Sequence, residues 1–275
     1  MKISVIIGSY RPDECLYRCL KSLTNQTVTP DEIIIGVDTI QDQQADQILD
    51  IQIPCKFAVS GKTGLSAARN TACQQASGDV LAFIDDDAIA EPDWIEWIHK
   101  IFEDSTISCA GGSVIPVFEG NPIPKQWHWI IGCTGLSKRP IGTNIAIQKN
   151  EFILYKGFSE NLGRTKHNLT IGEETELILK MEQDNKKVIW EPKMIVHHWC
   201  PKRRTEWAYI LSRAYKEGLG KAIINEHHKL KQEQKCLKYY LTHPDLYTIP
   251  ILLTTGIGFI VGKSNKILTA FSRSA

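Results

Sequence analysis

Three consecutive carboxylates, Asp85-Asp86-Asp87, follow directly on the apolar run Val80-Leu81-Ala82-Phe83-Ile84. Carboxylates held this close oppose one another's ionisation unless a cation or hydrogen-bond donors neutralise them. Hard divalent cations take oxygen ligands, and Mg²⁺ is commonly held by one or two carboxylates together with substrate phosphates. Successive side chains on an extended chain point to opposite sides. Asp85 and Asp87 would therefore share one side and Asp86 face the other, so that one side can hold a metal and a diphosphate and the other a ribose. A solvated acidic turn is the plainer reading, and the buried-type strand that leads straight into the triplet weakens it.

A second acidic pair, Glu173-Glu174, follows Gly172 and opens a segment to Gln183 with Leu177, Ile178 and Met181 at helical spacing. Carboxylates at a helix N-terminus are favoured by the dipole alone. Their chemical reading is a general base that takes the proton of an attacking hydroxyl. Val196-His197-His198-Trp199 ends another short apolar run. A histidine there can be a metal ligand, a phosphate donor or a packed imidazole. Arg69, on an Ala-rich segment, faces either a nucleotide or a surface carboxylate. Lys202-Arg203-Arg204, followed by Trp207, can close over a diphosphate leaving group or stand in water.

The elements that must position these groups are legible from periodicity. Ile3–Ile7, Glu32–Val37, Lys56–Val59 and Val80–Ile84 are short β-branched or apolar runs, read as strands. Helical spacing runs from Pro12 through Leu16, Cys19, Leu20 and Leu23, again from Leu65 to Ala76, and again from Glu91-Pro92. Strands alternating with helices in this way predict an α/β fold with a mostly parallel central sheet covered on both faces. Ligands of such sheets bind beyond the carboxyl ends of the strands, where Ser9-Tyr10-Arg11, Asp38 and Asp85-Asp86-Asp87 all fall. Phe118–Arg139, rich in Pro, Gly and Trp, reads as a long loop over the site. Gly142–Ile147, Val188–Trp190 and Met194–Val196 read as further strands, and Thr205 to about Gln232 as one long basic helix or two.

The chain has 275 residues with 43% hydrophobic and 23% charged, a globular composition with room for a sizeable core. The net charge of +1 gives no reason to expect a nucleic-acid partner. The distribution is uneven, for Cys200–Lys238 holds ten Lys/Arg against four Glu. The eight cysteines form no C-x-x-C pair and are expected to be reduced thiols in a reducing compartment. The opening apolar run is too short for a signal core, so a cytoplasmic N-terminus is expected. Leu246–Gly262 is seventeen residues without a charge, the lower limit for a bilayer span. Positive charge on both flanks favours a shallow or re-entrant segment, peripheral or anchored at the inner face of the membrane. A buried terminal helix is the alternative.

These pieces, in this order, resemble glycosyltransferase family 2, from about Lys2 to about Gly220. Val5–Pro12 resembles the family's opening strand and donor loop. Gly64–Asn70 through Ser77-Gly78-Asp79 resembles its A-R-N-x-G-x-x-x-A-x-G-D segment, with Ala72 in place of glycine. Asp85-Asp86-Asp87 matches D-x-D, with Pro92 and Trp94 at the expected distance. Gly142-Thr143-Asn144 resembles the G-x-N turn of the acceptor region. Phe158–Gly163 resembles G-F-D-E-x-L-G, with Ser159 for aspartate. Gly172–Leu177 resembles G-E-D-x-E-L, and Glu191-Pro192 through His198 to Pro201 resembles E-P-x-x-x-x-x-H-x-x-P.

The resemblance implies a GT-A (Rossmann-like) catalytic domain over 1–204 and a helical C-terminal extension over 205–275 that contains the segment 246–262. It implies an inverting transferase that moves a sugar from a nucleotide-sugar donor, UDP by family habit, to a glycan or lipid-linked acceptor, with Mn²⁺ or Mg²⁺ as cofactor. Ser9, Tyr10 and Arg11 would form the donor loop, with Tyr10 and Asp38 on the nucleobase. Arg69 and Asp86 would contact the nucleotide, a task Asp85 can share. Asp87 and His198 would hold the metal, with His197 the neighbouring alternative. Glu174 falls on the family's aspartate base, lengthened by a methylene, and Glu173 can share that role. Asn144, Arg203 and Arg204 would meet acceptor or diphosphate. Two rival classes are a nucleotidyltransferase, whose Gly-rich triphosphate loop is missing from Gly8–Arg11, and a non-catalytic sugar-nucleotide-binding membrane protein.

Overall fold

A computed structural model describes residues 1–10, 14–39, 51–162, 171–225 and 227–273. Its described strands form one eight-stranded mixed sheet in the order β3-β2-β1-β4-β7-β6-β8-β5. In chain order these are β1 (Ile3–Gly8), β2 (Glu32–Val37), β3 (Cys55–Val59), β4 (Val80–Asp85), β5 (Ala88–Ala90), β6 (Ile107–Phe118), β7 (Asn144–Gln148) and β8 (Lys187–Cys200). The helices are α1 (Glu14–Thr24), α2 (Leu65–Gln74), α3 (Trp94–Phe102), α4 (Lys149–Leu154), α5 (Glu173–Gln183), α6 (Trp207–Ile224), α7 (Lys231–Thr242) and α8 (Thr248–Arg273). The fold is α/β with a helical C-terminal part.

Strands β1 to β4 pair in parallel, and β7 joins them antiparallel to β4. Alternation along the central strands sorts their side chains into two layers. Val5, Ile7, Ile33, Ile35, Ala82 and Ile84 pack with α1 and α3 on one face. Ile6, Ile34, Leu81 and Phe83 pack with α2, α4 and α5 on the other. Both faces are covered, which is why these strands read as unbroken apolar runs. The register sets Gly8 opposite both Gly36 and Asp85, so the carboxyl ends of β1, β2 and β4 finish level and their polar residues meet at one edge.

Several elements differ from the sequence reading. The expected loop over Phe118–Arg139 starts at the end of β6, a strand not expected from the sequence, and it contains a 3-10 turn at Lys125–Ile131. The β6 segment Ser108-Cys109-Ala110-Gly111-Gly112-Ser113 is small-residue sequence with weak strand preference, so no periodicity announces it. The two short strands expected at 188–190 and 194–196 are one strand, β8, whose register against β6 skips between Gly112 and Ser113 where Pro192, Lys193 and Met194 intervene. The basic stretch is two helices, α6 and α7. The uncharged segment 246–262 lies mostly within α8, and no helix of the described residues is long and apolar enough to cross a membrane.

Candidate active site

A cavity of about 460 Å³ opens at the level strand ends. Its walls come from the β1 end, the acidic triplet, α2, the Gly142-Thr143 turn, the start of α5 and, from the C-terminal part, α6. The triplet is divided as strand alternation requires. Asp85 ends β4, and the turn at Asp86-Asp87 leads into β5. The Asp87 carbonyl accepts a hydrogen bond from the Trp199 amide at 3.0 Å. Asp86 accepts the Ser9 hydroxyl at 2.6 Å, on the side of the β1 loop. Asp85 and Asp87 turn the other way, where one atom from each lies within 4.8 Å of a His198 ring nitrogen.

β5 is what brings His198 there. It pairs antiparallel with β8 and sets Ala88 opposite His198. The Nε2 of His198 lies 2.9 Å from Asp87 Oδ1, and its Nδ1 is 3.4 Å from Cys133 Sγ. His197, one residue earlier and therefore on the opposite face, meets Glu91 at 2.6 Å instead. The choice between the two histidines is thus made by strand alternation. Arg204 donates to Asp87 Oδ2 at 2.6 Å. Burial opposes charge on Asp87, but His198 and Arg204 prevail and hold its carboxyl well below the usual carboxylate range. Burial likewise opposes charge on His198, and the Asp87 carboxylate overcomes it and raises the imidazole. Cys133, His198 and Cys200 also converge, all buried. Their thiols donate to backbone carbonyls, Cys133 to Ile131 at 3.8 Å and Cys200 to His198 at 3.5 Å.

Arg69 is 1% exposed and joins the two acidic groups of the cavity. Its guanidinium pairs with Asp85, donates to the Gly142 carbonyl at 3.1 Å and reaches Glu173 at 3.9 Å. Arg69 lines the cavity, and with help from the Thr143 hydroxyl at 2.6 Å it fixes Asp85. Glu173 is buried, and its carboxylate accepts from the Gly172 amide at 3.2 Å. Glu174 lines the cavity. Desolvation, reinforced by the charge of Glu173, pushes its carboxyl up to about 8 against the opposing pull of Arg69.

Of the remaining residues singled out in the sequence, Ser9, Tyr10, Asp38, Asp86 and Arg204 line the cavity. Asp38 also accepts the Gly64 amide at 3.2 Å, which ties the β2 end to the start of α2. Arg11 lies outside the described residues. Two residues stand off the cavity wall. Asn144 is fully buried behind the cavity. It accepts from the Trp94 indole at 2.9 Å and donates to the carbonyls of Ser113 and Met194, a core hydrogen-bond set that uses both of its amide hydrogens. Arg203 is exposed on the 3-10 turn Lys202–Thr205 and off the cavity wall, because that turn aims its neighbour Arg204 inward. The cavity residues not anticipated as site residues from the sequence include Thr143, Gly132, Arg213 and Glu217. Thr143 stands inside the Gly-Thr-Asn turn, the position that the G-x-N pattern leaves open. Arg213 and Glu217 are i,i+4 on α6, a spacing that any exposed helix face also shows.

An open-edged sheet with an acidic triplet at its switch point, faced by a histidine and an acidic helix start, is the arrangement that the resemblance to glycosyltransferase family 2 implies. The sequence profile of glycosyl transferase family 2 matches residues 4–163, more than half of the chain, and the chain belongs to that family. Over 247 residues it is 28% identical to the glucosyl-dolichyl phosphate glucuronosyltransferase of Haloferax volcanii, a match spanning 82% of this chain and 78% of that protein. Its fold resembles that of the mannosyltransferase PcManGT from Pyrobaculum calidifontis, solved with GDP-Man and Mn²⁺. That likeness has a TM-score of 0.64 and 15% identity over 97% of this chain and 87% of that one. Residues 1–349 of S. aureus TarS, solved with UDP, superpose with a TM-score of 0.56 and 17% identity over 88% and 71% of the two chains.

Proposed function

We propose that this glycosyltransferase is metal-dependent and inverting, and that it moves a sugar from a nucleotide-diphosphate donor to a hydroxyl of a glycan or lipid-linked acceptor in glycoconjugate biosynthesis. The observation that carries the reading is one cavity with Asp85, Asp87 and His198 on one wall and Glu173-Glu174 on another, bridged by Arg69. Two carboxylates and an imidazole are a donor set suited to Mn²⁺, and the carboxylates alone to Mg²⁺. The Arg204 guanidinium on Asp87 marks the position as one that takes positive charge. A divalent cation held there supplies charge stabilisation to the departing nucleoside diphosphate.

The chain's own groups divide the remaining work. Tyr10 and Asp38 border the space proposed for the nucleobase, and Asp86, braced by Ser9, the space for the ribose. Arg204 is placed to follow the phosphate charge as the glycosidic bond breaks. Glu174 accepts the proton of the acceptor hydroxyl on the far side of the sugar, and attack from that side inverts the anomeric centre. A carboxyl raised by desolvation and by Glu173 is a stronger base than a free one, which suits removal of a hydroxyl proton. UDP is the proposed nucleotide because the family resemblance implies it. A lipid-linked acceptor is favoured by the dolichyl phosphate-linked substrate named for the Haloferax relative. Residues 1–204 carry the acidic triplet, His198 and the Glu173-Glu174 pair, and 205–275 complete the cavity with Arg213 and Glu217, with attachment at the inner face of a membrane.

The test is release of nucleoside diphosphate from a panel of UDP-, GDP- and TDP-sugars, with Mn²⁺ and with chelator. One donor should be turned over with Mn²⁺ only, and the anomeric configuration of its product should be opposite to that of the donor. Retention of configuration, or no binding or turnover of any donor with metal present, overturns the reading.

A further inference from the structure

Helix α8 has two faces of different kinds. On one it meets α6 backbone to backbone. A Cβ at Gly258 would lie 2.1 Å from the Tyr215 carbonyl oxygen, and one at Gly218 2.1 Å from that of Thr255. Ile251, on the same side, is fully buried. The opposite face holds Ile249, Leu253, Ile257 and Ile260, exposed by 76%, 63%, 48% and 65%. At 3.6 residues per turn these four fall within an arc of roughly 80°. Leu246, just before the helix, is exposed as well, and Leu237 and Leu241 on α7 add a second exposed pair. A row of large aliphatic side chains on one arc is more than the scattered apolar residues of an ordinary surface.

The charges indicate what covers this face. From Thr248 to Arg273 the sequence contains no carboxylate, and its cations, Lys263, Lys266 and Arg273, lie in the second half. The α7 segment adds Lys231, Lys235 and Lys238. A second copy of the chain would bring the same cations against these, with no acidic residue on α8 to answer them. An anionic lipid surface answers Lys263, one helical step from the exposed arc, and receives the aliphatic row between its headgroups. We infer that the exposed arc of α8, with its lysine flank, docks the protein in the plane of a membrane rich in anionic lipid, without crossing it. The inference deepens the proposed inner-face attachment and rests on it. Its consequence for the reaction runs through α6, which is fastened to α8 on one side and presents Arg213 and Glu217 to the cavity on the other. Docking through α8 therefore fixes the Arg213 and Glu217 wall of the cavity relative to the lipid surface.

The full chain is mixed with vesicles of phosphatidylglycerol and phosphatidylcholine, or of phosphatidylcholine alone, and the bound fraction is read by sedimentation. The mixed vesicles should bind it at least about ten-fold more tightly than the neutral ones, with the difference shrinking as salt is raised. The double variant Leu253→Asn, Ile260→Asn should lose vesicle binding while keeping the wild-type melting temperature and Mn²⁺-dependent nucleotide-sugar hydrolysis. Equal binding by variant and wild type, no binding of wild type to either vesicle, or a dimer in solution that the double variant splits would each overturn the inference. Vesicle binding without hydrolysis of any donor would instead remove the enzymatic reading and leave the docking surface standing.

Discussion

Glu174 combines two properties that can be measured separately, a proton affinity and a place in the cavity. Its carboxyl is pushed up to about 8, first by desolvation and then by the charge of Glu173. At neutral pH it is largely protonated, so transfer should increase as pH rises through about 8. The folded chain holds this proton more tightly than the unfolded chain does, from an ordinary value of 4.5. The stability it contributes is therefore fully present below about pH 4.5 and is lost as pH rises through about 8. Glu174→Gln should lower transfer by roughly 10²–10⁴-fold while donor binding survives. Its melting temperature should gain on that of wild type between those two pH values and then run parallel. Unchanged transfer in the variant removes Glu174 as the base. Asp87→Ala should abolish Mn²⁺-dependent donor binding outright. Cys133→Ala, which takes away the partner of His198 Nδ1 at 3.4 Å, should weaken Mn²⁺ by roughly 10- to 100-fold, and Cys133→Ser should recover part of the loss. Equal Mn²⁺ affinity in wild type and Cys133→Ala would show that the thiol does not orient the ring. The acidic triplet, the glutamate pair and the histidine pair were legible as types at telling positions in the sequence. Cys133 was not, because it meets His198 across 65 residues of chain and only when the turn after Ile131 folds back.

At the level of elements, the base-bearing turn is held from the C-terminal side. Gly220 on α6 sits against the residue that leads into Gly172-Glu173-Glu174, and a Cβ added there would lie 2.0 Å from the Ile171 carbonyl oxygen. Backbone cannot yield as a flexible side-chain tip can, so α6 or the turn must shift. Gly220→Ala should cost about 1–3 kcal/mol, as overpacking does, and should lower turnover further than the loss of folded protein explains. Wild-type melting temperature and turnover would mean that the abutment has slack. The parallel half of the sheet was legible because strands buried on both faces need apolar residues at every position. β6 was not, since its close approach to Pro140, Met194 and Asn144 requires Gly111 and Gly112, and the small residues that permit this erase the strand signal. The merger of two expected strands into β8 has a similar cause, for Pro192 looks like a break and is accommodated where the register skips.

For the molecule as a whole, the division at residue 204 suggested by the resemblance does not coincide with a division of the core. Ile210 and Ala214 of α6, Tyr240 of α7 and Ile251 of α8 belong to the same apolar cluster as Val5, Ile33 and Trp94. Trp127 connects the two parts further, since its indole donates to Asp245 at 2.8 Å and stacks on Tyr240 with ring centroids 4.4 Å apart. A helical part that shares its buried side chains with the sheet cannot leave without exposing them, and apolar area returned to water costs on the order of 25 cal/mol per Å². Thermal unfolding of the full chain should therefore be a single calorimetric transition. A chain ending at Arg204 should lose cooperative unfolding and aggregate, because it leaves the α1 and α3 layer partly uncovered and removes Arg213 and Glu217 from the cavity wall. Two separate transitions in the full chain, or a truncated chain that melts cooperatively and still hydrolyses donor, would mean that residues 205–275 are an appendage and that the sheet domain alone supplies the donor site.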